Sequence, residues 1–171
     1  MKLLIVYSTN YGVSRKCAEM IAERLESKME VCVYDINDNP PSPLGFDAAV
    51  VGGSIRMLRI NKKLKAYLKQ YAGELSAIPT ALFLCCGFSE NFDDYVPMVF
   101  PKNVRASLGV HCFGGELKPD KLGGLDKFIV KRIRSSMQYR DFDDPDPDAS
   151  PLPEILPETV YRVADSIKNL I

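Results

Sequence analysis

The chain has 171 residues, and its 22 Lys and Arg balance 22 Asp and Glu, so the formal net charge is zero. Hydrophobic residues at 46% and charged residues at 26% are ordinary globular proportions, which excludes disorder along the whole chain. The balance also excludes nucleic-acid binding driven by an excess of positive charge, so no nucleic-acid partner is expected.

The first element is the apolar run Lys2 to Tyr7, the pattern of a strand buried on both faces of a parallel sheet. From Ser14 onward, Cys17, Ala18, Ile21 and Leu25 recur at helical spacing and predict an amphipathic helix. Val31 to Tyr34 reads as a second strand and Asn37 to Pro41 as a connection. Phe46 to Gly52 reads as a third strand, ending in Gly52, Gly53 and Ser54. Asn61 to Tyr71 is a basic amphipathic helix with Leu64, Tyr67, Leu68 and Tyr71 on its apolar stripe, and Thr80 to Cys86 is the fourth strand.

Pro97 and Pro101 make any helix in Asp94 to Leu108 short or broken until about Asn103. Val110 to Leu117 reads as a fifth strand and its following loop, Leu125 to Met137 as a basic helix, and residues 141–157 as an acidic, Pro-rich linker. A last helix spans Glu158 to Leu170, with Val160, Val163, Ala164 and Ile167 at helical spacing. Alternation of strands and helices predicts an α/β fold: a three-layer, doubly wound sheet of five parallel strands. The expectation is a single domain over 1–171.

The five cysteines are odd in number, and no Cys or His stands at zinc spacing, so a reduced, cytoplasmic setting without a metal site is expected. The N-terminal apolar run is too short for a signal-peptide core. Adjacent Cys85 and Cys86 are expected to point to opposite faces of their strand, and His111 to be a satisfied structural histidine.

In a doubly wound sheet, ligands bind beyond the carboxyl ends of the strands where strand order reverses. There the chain reads Ser8, Thr9, Asn10, Tyr11, Gly12, Val13, Ser14 and enters the first helix. Hydroxyls, a glycine and free helix N–H groups suit a phosphate. The same residues also fit a plain cap-rich turn with Ser14 as the N-cap. Neither the P-loop nor the dinucleotide fingerprint is present.

The ordered set YSTNYGVS, VVGGSIRM and FGGEL resembles the flavodoxin-like family, and within it the group that includes menaquinone-dependent protoporphyrinogen oxidase. The likeness runs from Met1 to about Tyr139. It implies FMN as cofactor, with the phosphate held by Ser8 to Ser14. It also implies Ser54, Ile55, Arg56 and Met57 on one side of the isoalloxazine, and Cys86, Gly87 and Phe88 on the other. No catalytic residue is assigned. Two activities stay open: oxidation of a protoporphyrinogen-like substrate with electrons passed to a quinone, or a non-catalytic shuttle between redox partners. A third reading is a binding protein without tight FMN.

Two departures from the family pattern bear on that choice. Arg56 would place a cation where low-potential carriers place acids, unless it points to solvent or pairs with an acid. The chain also has no Trp to stack on the ring, leaving Met57, Phe88, Phe92 or Tyr95 as candidates. Residues 56–69 hold Arg56, Arg59, Lys62, Lys63, Lys65 and Lys69 without an acid, and residues 127–134 hold four more cations. Basic amphipathic helices of this kind can make peripheral contact with an anionic membrane, or can simply pack on the sheet.

Overall fold

The computed structural model describes residues 1–87, 89–115 and 154–171. Five strands form one parallel sheet: β1 (Lys2–Ser8), β2 (Glu30–Asp35), β3 (Ala48–Ser54), β4 (Thr80–Cys85) and β5 (Val110–Cys112). Their spatial order is β2-β1-β3-β4-β5. The chain leaves β1 in one direction for β2 and returns past it to β3, so order reverses between β1 and β3. That is where a crevice opens at the carboxyl edge.

The apolar strand runs bury both faces by alternation. Leu3, Ile5 and Tyr7 of β1, with Val50, Phe83 and Cys85, face α1 (Val13–Leu25) and the C-terminal α5 (Pro157–Lys168). Leu4, Val6, Val51, Leu82, Leu84 and Cys86 face the other layer, which includes α2 (Lys62–Gln70) and α3 (Ala72–Ala77). The helical periodicities hold: Cys17, Ala18, Ile21 and Leu25 are all buried, as are Val160, Val163, Ala164 and Ile167. Phe83 and Phe113 stack with centroids 4.7 Å apart and anchor the first of these cores. Arg24 on α1 makes a two-pronged bond to Asp165 on α5 at 2.9 and 3.0 Å, tying the outer surfaces of the two helices.

One expectation changes. The helix before β5 is α4 (Phe92–Val99), which contains Pro97 and ends ahead of Pro101. Phe100 is held extended by the following proline, and no helix resumes at Asn103 or anywhere up to Gly109. Those residues instead feed the sheet edge, with Leu108 N–H bonded to the Thr80 carbonyl and Leu82 N–H to the Gly109 carbonyl. The basic helix at 125–137 and most of the linker at 141–157 lie outside the described residues. Among the described residues, no helix is long and apolar enough to cross a membrane.

Candidate functional site

The crevice has two walls. The first is the β1–α1 connection. Ser8 is 2% exposed, and its hydroxyl lies against Gly53 of the neighbouring strand, where an added Cβ would overlap it. Thr9 turns its side chain back, and its Oγ1 accepts the Gly12 N–H at 2.8 Å. Gly12 takes the N-cap position with φ +93, a conformation that costs a side chain dearly. Asn10 and Tyr11 stand exposed at the rim.

Ser14 is therefore not the cap. It lies one turn position inside α1, fully buried, with its hydroxyl 2.7 Å from that of Ser54 across the crevice. No side chain caps α1, and no acid lies in its first turn. The first bond of the helix ladder is donated by Lys16 to the Gly12 carbonyl at 3.0 Å. The N–H groups of Val13, Ser14 and Arg15 thus fall outside the ladder and point toward the loop, as at any helix start. The positive end of the helix dipole meets them there.

The second wall is the connection from β3 to α2. Ile55 N–H bonds to the Cys85 carbonyl at 3.0 Å, holding the end of β3 beside the end of β4. Arg56 and Arg59 then exchange backbone hydrogen bonds of 2.9 and 3.0 Å and close a tight turn. Met57 and Leu58 form its tip with φ of +50 and +59, the left-handed pair that a two-residue hairpin turn requires. Their side chains are 64% and 55% exposed. Sequence reasoning missed this turn because neither Met nor Leu is a turn former; no local signal marks it.

Beyond the tip, Asn61 caps α2 by accepting the Lys63 N–H at 2.8 Å. Leu64, Tyr67 and Leu68 are buried against the sheet, while Lys62, Lys63, Lys65 and Lys69 are exposed. The apolar stripe of this helix is thus engaged in the core, and only its cationic face meets solvent. Tyr67 donates its hydroxyl to the Pro41 carbonyl at 2.8 Å, and burial pushes its phenol above the ordinary range.

The floor is the end of β4. Cys85 and Cys86 point to opposite faces, as the strand alternation predicts. Cys85 lies in the α1 core beside Cys17 and Ser14, where its thiol is held well above the usual range by Cys17 and by burial. Cys86 faces the other layer, with its Sγ 3.5 Å from the Cys112 Sγ of β5. Gly87 follows, and its backbone packs against Gly115, where a Cβ would come within 2.7 Å of the Gly87 nitrogen. Phe88 lies outside the described residues. Of the other stacking candidates, Phe92 and Tyr95 are half-buried against the α2-side core, and Met57 is the one that projects freely. His111 has its Nε2 2.7 Å from the Leu108 carbonyl and donates to it, a local structural tie.

The donor set suits a phosphate ester: backbone N–H groups, hydroxyls and no carboxylate in the first turn of α1. An added Cβ at Gly12 would meet nothing within 4 Å, so space is open directly above the loop. Among the described residues, no group of three or more His, Cys, Asp or Glu side chains is placed to hold a metal ion.

A parallel five-stranded sheet in this order, with a hydroxyl-lined loop at its switch point, defines a flavodoxin-like α/β protein. The chain belongs to the flavodoxin domain family, whose model matches residues 4–144. It is 35% identical over 85 residues to a protoporphyrinogen IX dehydrogenase [quinone] of Leishmania major, covering 48% of this chain and 37% of that protein. It is 29% identical over 85 residues to the protein of the same name from Escherichia coli (strain K12), covering 48% and 47%. These matches span less than half the length of either relative. Among solved structures, the Fusobacterium nucleatum flavodoxin bound to flavin mononucleotide superposes with a TM-score of 0.52 at 10% identity. That superposition covers 99% of this chain and 98% of the other, a likeness of fold.

Proposed function

We propose that the protein is an FMN-dependent oxidoreductase that takes electrons from a protoporphyrinogen-like substrate and delivers them to a quinone. The observation that carries this reading is the uncapped α1 N-terminus, ringed by hydroxyls, beside a cationic turn at the sheet's switch point. In this reading the loop from Ser8 to Ser14 holds the FMN phosphate through backbone N–H groups. The Thr9 hydroxyl fixes the loop by accepting from Gly12. The Ser14 and Ser54 pair joins the two walls and keeps the helix start in register with the end of β3.

Bound FMN supplies the redox chemistry, exchanging electrons one or two at a time. The protein's own part is placement and field. Ser54 to Met57 would border one side of the ring, and Cys86 and Gly87 the other. Arg56, at the base of the turn, would set positive charge near the ring and favour its electron-rich state. The names of the curated relatives support the substrate class and the quinone acceptor. Exposed Met57 and Leu58, flanked by Arg56, Arg59, Lys62 and Lys63, would let this edge rest on an anionic membrane surface where a quinone resides.

The test is reconstitution of the purified chain with FMN and anaerobic reductive titration, followed by protoporphyrinogen IX and a soluble menaquinone analogue. Flavin binding with turnover of both is the expected result. Flavin binding without turnover replaces this reading with a non-catalytic electron shuttle. A chain that stays colourless after reconstitution overturns it.

A further inference from the structure

We infer that Cys86 and Cys112 form a reversible dithiol–disulfide site at the ends of β4 and β5, oxidised by a hydroperoxide. This rests on the two thiols alone and not on the flavin reading above. All five cysteines are free thiols. The β4–β5 register pairs Leu84 with Cys112, so Cys86 lies just past the paired residues, on the same face of the sheet. There its Sγ lies 3.5 Å from the Cys112 Sγ. A bond needs about 2.0 Å, so the sulfurs must close by roughly 1.5 Å. Both residues sit at the ends of their strands. Cys86 is the first residue beyond β4 and precedes Gly87, while Cys112 ends β5 two residues before Gly114, whose φ is +73.

The two thiols are not equivalent, and their difference sets the order of events. Cys86 is 4% exposed, whereas Cys112 is half-buried and can be reached. The Cys86 S–H and the Gly114 N–H both stabilise a thiolate on Cys112, lowering its pKa against the cost of burial. The same hydrogen bond, together with burial, raises that of Cys86. Cys112 is therefore the thiolate that attacks, and Cys86 the resolving thiol.

The Cys112 thiolate attacks one oxygen of the peroxide; the O–O bond breaks, hydroxide or alkoxide leaves, and Cys112 becomes a sulfenic acid. Cys86 sulfur then attacks the Cys112 sulfur, forming the S–S bond and releasing water, with the Cys86 proton completing that water. In sum two thiols lose two electrons and two protons, and the peroxide takes up both. Cys17 and Cys85, on the opposite side of β4, have no such route, since both are sealed in the α1 core.

The experiment exposes the reduced full chain to hydrogen peroxide, alkylates the remaining thiols after denaturation, and maps them by intact mass and peptide fragmentation. The expected result is loss of two of the five alkylatable thiols, a Cys86–Cys112 cross-link, and full recovery with dithiothreitol. In Cys86→Ser, Cys112 should stop at a sulfenic acid that dimedone traps; in Cys112→Ser, Cys86 should stay reduced. Iodoacetamide should label Cys112 faster than Cys86 in unoxidised protein. Five alkylatable thiols after peroxide, or a bridge that joins any other pair, overturns the inference. A folded Cys86→Ser chain whose Cys112 resists peroxide also overturns it.

Discussion

The two connections that face each other across the crevice are built on opposite plans. The β1–α1 loop is drawn in: Ser8 and Ser14 are buried, Thr9 folds back on Gly12, and no charged residue intervenes before Arg15. The β3–α2 loop is pushed out, with Met57 and Leu58 at a projecting tip and cations on both flanks. A neutral, N–H-lined recess discriminates by geometry, because each donor must lie in hydrogen-bond reach of its acceptor. An exposed cationic turn acts instead through its field, which reaches farther but is screened by salt. Binding specificity should therefore follow the first loop, and redox potential and partner choice the second.

The largest disruption should come from the seam the two walls share. A side chain at Gly53 would overlap both the Ser8 hydroxyl and the Ser8 carbonyl, the latter backbone that cannot swing aside. Gly53→Val should cost about 3 kcal/mol in urea unfolding, as overpacking of a tight site does. It should also disturb both loops together. A loss well under 1 kcal/mol would mean that β1 and β3 separate more readily than their register implies.

Next in size is a pair of substitutions at one glycine. Gly12→Ala meets open space, so it carries only the conformational cost of φ +93, about 1 kcal/mol. Gly12→Asp adds a negative charge beside the phosphate recess and should weaken FMN binding by roughly a hundredfold, equivalent to about 3 kcal/mol. Fluorescence-quenching titration separates the two variants. Equal affinities for Asp and Ala would move the phosphate away from this loop.

The projecting loop should give smaller, electrical effects. Removing its charge with Arg56→Gln takes away about 1 kcal/mol of attraction to an electron-rich ring at a well-solvated site. That corresponds to a potential lower by roughly 20 mV for a two-electron couple. FMN affinity should hardly change, and the shift should shrink as salt is raised. A potential unmoved at low ionic strength would place Arg56 away from the ring.

How much of this was legible beforehand follows from what each feature depends on. The strand and helix runs were readable because burial on both faces leaves unbroken apolar strings and helical stripes. Leu3 and Leu4 fill different cores yet look alike in sequence. The β1–α1 loop was readable because Ser, Thr and Gly are themselves turn and cap chemistry. Its detail was not: Ser14 suggests a cap until Ser54, 40 residues away, is seen to take its hydroxyl. The Cys86–Cys112 contact depends on the β4–β5 register, which no local pattern encodes. The separation of Cys85 and Cys86 onto opposite faces was readable, because it follows from strand alternation alone. In the basic stretch at 56–69 the helix from Asn61 was visible through its apolar stripe, but the tight turn at Met57 and Leu58 ahead of it was not.

The smallest effect tests that turn directly, and its sign is the informative part. Met57 and Leu58 hold left-handed backbone that side chains bearing a Cβ enter only at a cost of about 1 kcal/mol each. The turn persists because Arg56 and Arg59 exchange two backbone hydrogen bonds and because Ile55 and Ile60 tie its ends into the sheet-side core. The double substitution Met57→Asn with Leu58→Gly puts the preferred Asn-Gly pair at the tip, which keeps the turn type and relieves the strain. If the exposed side chains contribute nothing to the folded monomer, the double variant should gain about 1 kcal/mol and melt a few degrees higher. Its flavin affinity should fall modestly, because Met57 borders the ring, and any affinity for anionic vesicles should fall as the apolar tip is lost. A lower melting temperature would instead show that Met57 or Leu58 packs in solution. In that event the outward wall is a closed part of the crevice, and the contrast between the two loops would be one of charge alone.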